Sequence, residues 1–320
     1  MTALAGVTVR VGETDRVRVY AVSIGTGQVA HALVDTATDP MVQMLRPRLI
    51  PRSARKVPAF YREQVLALLA EIATTDLDAV AIVTAQPAAP WHDHVTRQVP
   101  GLPVTVTHPG LAATWAEYHR RGRTGTLAHV TVSATVHAGI VLNGQLHPNT
   151  FGHIPIDPDS PRRCGTCATP GCVTALAAAP AVLRRYRELR TTASRIRRTS
   201  ASPQPGSIML VDLAQAAARG DDAARQAMQE AGHWLGIGLA TVANLIGPDV
   251  ITIGGALPAI TARRADAGGY LAAIERAAHS HATPADATPM VINSAPDGAE
   301  RSLFGAALLA VPRGPQGSPG

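Results

Sequence analysis

The chain has 320 residues, 46% hydrophobic and 16% charged, which suits one large or two moderate domains with a proper core and excludes a minimal module. No apolar run approaches the roughly 18 residues that span a bilayer, and no basic start leads into an apolar stretch, so a cytoplasmic protein away from membranes is expected. The formal charge is +6, but Lys56 is the sole lysine in an alanine-rich, arginine-rich chain, a bias that weakens basicity as a sign of nucleic-acid binding.

The first periodic signal is the alternating run Val17 to Val22, which passes through Ser23-Ile24-Gly25-Thr26-Gly27-Gln28 and resumes from Val29 to Asp35, as a hairpin with a glycine-bearing turn does. Apolar positions recur at helical spacing from Tyr61 to Ala73, and a buried strand follows at Ala79 to Val83. A strand over Val104 to Val106 leads through His108-Pro109-Gly110 into a helix over Leu111 to Arg120. Two strands come next, Ala128 to Ser133 and Ala138 to Leu142, closed by Asn143-Gly144, a strong hairpin signal.

Helices are expected over Cys172 to Leu189, Val211 to Arg219 and Asp221 to Leu245. A strand over Val250 to Ile253 enters Gly254-Gly255, and a helix around Tyr270 to Ala278, a strand over Met290 to Ile292 and a helix over Leu303 to Ala310 complete the pattern. Alternating strands and helices indicate an α/β fold. The Ser/Thr/Pro/Arg-rich stretch Thr191 to Ser207 reads as a mobile connection, and the Pro/Gly-rich residues after Val311 as a disordered tail.

The three cysteines, Cys164, Cys167 and Cys172, exclude a disulfide framework. With His153 they suit a closed tetrahedral Zn²⁺ site, which is structural because no coordination position stays open. Three reduced surface thiols and an unrelated histidine are the bland alternative.

From Val17 to Ala310 the pattern resembles the ROK family, the repressor and sugar-kinase group of the hexokinase and actin-like ATPase superfamily. Three segments carry the resemblance: Gly152-His153 to Asp159 followed by Cys164, Cys167 and Cys172; Ala214 to Ala223, with Gly220-Asp221; and Leu235 to Leu257, with Asn244-Leu245 and Ile253-Gly254-Gly255. The resemblance implies a two-lobed actin-like (ribonuclease H-like) α/β fold with a structural zinc. Its lobes would cover residues 1–109 and 110–302, with the zinc segment at 153–172, a terminal helix at 303–311 packed on the first lobe and a tail at 312–320. It also implies a homodimer and a small-molecule ligand in the cleft between lobes.

Departures from the family pattern fall on the kinase machinery. The resemblance implies a first phosphate loop D-I-G-G-T-K, where this chain has Ser23, Gly25, Thr26 and Gly27 without the acid or the cation. The second, G-T-G-I-G-A-G, aligns with Ser133 to Gly139, where side chains fill phosphate space. The catalytic aspartate aligns with Pro109, flanked by Thr107 and His108, and proline cannot take a proton. The sugar loop is shortened to Gln145 through Phe151, with Thr150 in place of a glutamate.

Losing base, Mg²⁺ organiser, phosphate loop and sugar ligand together argues against Mg²⁺/ATP as a working cofactor pair. The Gly254-Gly255 element stays compatible with nucleotide binding or with plain strand-to-helix packing. His108, His137 and His147 stand in or beside the altered loops, with His108 and His137 as candidate acid–base groups, since imidazole titrates near neutrality. The expected function is a repurposed non-kinase enzyme, in specialised metabolism for instance, or a ligand-binding pseudokinase. The alternatives are an ATP-dependent kinase of the glucokinase or N-acetylmannosamine kinase type, and a transcriptional regulator, for which the residues before Val17 are too few to form a winged helix. The arginines from Arg184 to Arg198 read as a solvated helix face rather than a nucleic-acid surface.

Overall fold

The computed structural model describes residues 17–311 except 26, 37–40, 56, 73–75, 198–208, 265, 267, 284–291 and 295–298. The described residues fall into two compact units, one within Met1–Thr124, Gly144–His147 and Gly298–Gly320, the other within Gly125–Asn143 and Pro148–Asp297.

The first unit is built on β1 (Arg18–Gly25), β2 (Gln28–Asp35), β3 (Met41–Met44), β4 (Arg48–Leu49), β5 (Ala79–Val83) and β6 (Val104–Thr107), in the order β3-β2-β1-β5-β6 with β4 also on β2. β1 and β2 form the expected antiparallel hairpin, while β5 lies parallel to both β1 and β6. All five residues of β5, Ala-Val-Ala-Ile-Val, are buried, as an inner strand covered on both faces requires.

One face carries Tyr20, Val22, Val80 and Ile82 under α1 (Pro58–Glu71) and α2 (Ala88–Gln98). The other carries Val19, Ala21, Ala81 and Val83 against α10 (Ala299–Ala310). Helix α3 (Pro109–Arg120) packs on α10 within this same unit, so the lobe boundary expected after residue 109 falls at Thr124 instead. A carboxylate locks that packing: Glu117, with no exposed side-chain surface, accepts from Arg120 and Arg121 of its own turn and from Arg301 of α10. Burial works against its charge, but the three guanidiniums outweigh it and hold the carboxyl down at about 2.

The second sheet runs β11-β10-β7-β8-β9, formed by β7 (Leu127–Val132), β8 (Val136–Leu142), β9 (Gln145–Pro148), β10 (Val250–Gly254) and β11 (Ile292–Ser294). Its core is closed by α4 (Val173–Ala177), α5 (Ala179–Arg197), α6 (Leu210–Ala218), α7 (Asp222–Ile246) and α9 (Tyr270–His281). Asn143-Gly144, with φ of 52° and 72°, makes the expected hairpin turn but leads to a third strand, β9, while β7 and β8 are joined at Ser133–Thr135.

Four other readings change. The helix expected over Cys172 to Leu189 breaks at Ala178, whose ψ is 158°, because Pro180 cannot continue a helix and instead starts α5. Residues 191–197 extend α5 rather than forming a loop, while 198–208, the tail 312–320 and Met290-Val291 lie outside the described residues. Helix α2 carries little apolar periodicity, because only Trp91 and Val95 of its eleven residues are buried. α8 (Ala256–Ala262) is too short, at two turns, to show a period. Among the described residues no helix is long and apolar enough to cross a membrane.

Candidate functional site

His153, Cys164, Cys167 and Cys172 converge, their ligand atoms all within 4.8 Å of one another. The backbone makes this convergence. Phe151–His153 forms a short 3-10 turn pinned under β8, where a Cβ on Gly152 would stand 1.9 Å from the Val136 carbonyl oxygen. Cys164 opens a tight knuckle in which Ala168 N–H donates to the Cys164 carbonyl at 3.0 Å and Cys164 N–H donates to the Thr169 carbonyl at 3.1 Å. Gly171, at φ 54°, brings the chain back so closely that a Cβ would meet the Asp157 carbonyl oxygen at 1.7 Å, a contact and a conformation that exclude other residues. Pro155 and Cys172 then pair as an antiparallel bridge, and Val173 N–H donates to the Ile154 carbonyl.

The donor set fits a tetrahedral divalent ion. Cys164 Sγ lies 3.8 Å from His153 Nδ1 and Cys167 Sγ lies 4.0 Å from Cys172 Sγ, close to the tetrahedron edge of about 3.8 Å that Zn–S bonds of about 2.3 Å generate. Burial pushes the Cys172 thiol well up, while hydrogen bonds from Thr169 draw the exposed Cys167 thiol down. A cation held by these four residues would offset the desolvation that raises Cys172.

The remaining candidate residues are distributed over both units. In the first, Ser23, Val83 and Thr107 stand in register across β1, β5 and β6, which sets Ser23 and Thr107 two strand spacings apart on one face. Thr26 lies outside the described residues, Gly25 is exposed, and Gly27 N–H donates to the Tyr61 hydroxyl at 3.2 Å. Pro109 is the first residue of α3, and His108 is its N-cap, with Nδ1 accepting from Gly110 N–H at 3.2 Å. Burial lowers the His108 pKa, favouring the neutral imidazole that this cap requires. No Asp or Glu occurs between residues 101 and 116. His147, on β9, is exposed.

In the second unit His137 is half-buried on β8, its Nε2 2.5 Å from the Thr135 hydroxyl, and Thr150 is exposed. Gly255 has φ 102°, and a Cβ there would lie 2.3 Å from the Val132 carbonyl oxygen, so strand-to-helix packing by itself accounts for this glycine. Ser133, which the sequence did not single out, accepts from Ala256 N–H through Oγ at 3.1 Å while its carbonyl accepts from Ala179 N–H at 2.9 Å. Its position between an apolar strand and a turn was the available signal. The amide that opens α8 is thereby already satisfied. Arg184 and Arg185 are similarly engaged, donating to the Ala175 carbonyl and to Glu230, which supports the helix-face reading of the arginine run.

Two sheets in this topology, with helices closing both, form a two-sheet α/β fold of the actin-like ATPase kind. The ROK family model matches residues 73–313, and the chain belongs to the ROK family. It is 28% identical over 177 residues to a glucokinase of Streptomyces coelicolor, a match that covers 49% of this chain and 52% of the relative, so the chain spans about half the length of that protein. The crystal structure of a ROK hexokinase from Thermus thermophilus shares the fold at a TM-score of 0.69 and 23% identity, covering 92% of this chain and 97% of that one. A ROK family transcriptional regulator, a homolog of the Escherichia coli Mlc protein, does so at 0.70 and 22%, covering 92% and 77%.

Proposed function

We propose that this ROK-family protein does not transfer phosphoryl groups by the mechanism its kinase relatives imply, and that it uses the fold to bind a small molecule, either for other chemistry or as a pseudokinase. The observation that carries the reading is the β6–α3 junction. Where the resemblance calls for a carboxylate, Pro109 opens the helix and His108 is engaged on the Gly110 amide. Proline has no group that takes a proton, and a half-buried imidazole with a lowered pKa that already accepts one hydrogen bond is a weak substitute. Ser133 supports the same reading, because its hydroxyl occupies the Ala256 amide beside the turn that aligns with the second phosphate loop.

Zinc in this reading is structural, held by His153, Cys164, Cys167 and Cys172, where it ties the turn after β9 to the start of α4. The family resemblance adds a homodimer and a cytoplasmic setting. Kinase activity is the competing reading, favoured by the glucokinase match.

Calorimetric titration of the zinc-loaded protein with Mg·ATP, with and without glucose and N-acetylmannosamine, separates the two. The expected result, with or without binding of nucleotide or sugar, is no sugar-dependent release of ADP in the same sample. Release of ADP that depends on either sugar would overturn the reading.

A further inference from the structure

A cavity of about 510 Å³ lies wholly within the first unit, over the β1–β2 pair and between the residues that link β3 to β4 and the C-terminal end of α1. Leu45, Pro47, Leu68 and Ile72 make its walls apolar. Its floor is a polar pair: Tyr20 Oη lies 2.8 Å from His31 Nδ1, and His31 Nε2 lies 2.9 Å from the Arg46 carbonyl oxygen. A carbonyl only accepts, so Nε2 carries a proton, and in the neutral ring Nδ1 accepts from the Tyr20 hydroxyl. Both N–H and O–H protons are therefore spent, and what Tyr20 Oη still offers the cavity is a lone pair. That residue is 1% exposed, and burial raises its pKa, so it remains a neutral phenol.

Arg48 and Glu71 form an ion pair on the cavity wall, Arg48 Nη2 donating to Glu71 Oε1. The guanidinium retains further N–H donors and the carboxylate a second oxygen. One positive and one negative group are thus held side by side above an apolar chamber with a deep acceptor. Size, apolar lining and a few converging polar groups are what a small-molecule site has.

We propose that this cavity binds a small zwitterion of the apolar α-amino-acid class, with its carboxylate on Arg48, its ammonium on Glu71 and Tyr20 Oη, and its side chain between Leu45, Pro47, Leu68 and Ile72. The pair of opposite charges favours a ligand carrying both signs, because a ligand with one charge leaves the other member of the pair without gain. The site is independent of the phosphoryl-transfer question, since none of the residues aligned with the kinase machinery lines it.

Isothermal titration of the full-length zinc-loaded protein with leucine, phenylalanine and tryptophan tests the proposal, with isoamylamine and 4-methylpentanoate as single-charge controls. The expected result is saturable binding of at least one amino acid, with both controls weaker by tenfold or more. Tyr20→Phe keeps the shape and removes the lone pair, and a tenfold loss is expected. Arg48→Met and Glu71→Gln stand on the rim and leave the floor intact, so they give the same reading if Tyr20→Phe fails to fold. No binding of any of the three amino acids, equal binding of the controls, or affinity unchanged in both rim variants overturns the proposal.

Discussion

The cysteine knuckle and the β6–α3 junction are two short segments where the family resemblance places chemistry, and they differ in where their hydrogen bonds go. In the knuckle the backbone satisfies itself, through the bonds from Cys164 N–H to the Thr169 carbonyl and from Ala168 N–H to the Cys164 carbonyl, and through the Pro155–Cys172 bridge. Four ligand atoms remain aimed at one point. At the junction the side chain is spent on the backbone, since His108 caps α3 and Pro109 begins it. A site that gathers four ligand atoms within 4.8 Å of one another is built to take something from outside; a helix start that consumes its polar side chain is built to hold the helix.

That contrast predicts its largest effect at the knuckle. Cys172→Ser removes a ligand that the fold buries, and the purified variant is expected to carry no zinc and to lose about 4 kcal/mol of the stability that metal at a thousandfold over its Kd supplies. Metal analysis and denaturant melts check this, and a variant that retains one zinc per chain would break the comparison on its metal side.

The next effect belongs to the far end of α3. Glu117→Gln removes the charge that three arginines share, and about 2–3 kcal/mol of destabilisation is expected at neutral pH. Because the folded carboxyl is held down at about 2 against an ordinary value of 4.5, its contribution is present above pH 4.5 and disappears as pH falls toward 2. Melts of wild type and variant are therefore expected to converge over that window.

The smallest effect is at the junction itself. His108→Ala removes an N-cap and is expected to cost about 1 kcal/mol. The lowered pKa of His108 means that the fold favours the neutral ring, so wild-type stability falls as pH drops below 6.5, and the alanine variant is expected to lose less over the same range. Ligand binding that vanishes with this substitution while stability holds would give His108 a role beyond the cap.

Much of the fold was legible in the sequence where local pattern and tertiary environment agree. The β1–β2 hairpin, the wholly apolar β5 and the long α7 stand within a few residues of where periodicity puts them. α2 and α8 were not legible, since one shows only two buried side chains and the other carries Pro258 in its first turn. The metal ligands could be read because cysteine is scarce and its spacing is chemically constrained. The roles of Ser133 and Glu117 could not, because they depend on Ala256 and Arg301, each more than a hundred residues away in the chain.

The cavity over β1 and β2 lies between these cases: a hairpin turning at Gly25–Gln28 sets Val22 opposite His31 and brings Tyr20 to its diagonal, but the Arg46 carbonyl that fixes the imidazole comes from a segment without periodicity.

The most direct test of the central claim is ADP release by the zinc-loaded, full-length protein with saturating Mg·ATP over a panel of hexoses and N-acetylhexosamines. The account predicts a rate with every sugar equal to the rate without sugar. A Mg²⁺-dependent rate that rises with the concentration of one sugar and yields its phosphate would contradict it, and would require a proton acceptor other than the residues of the β6–α3 junction.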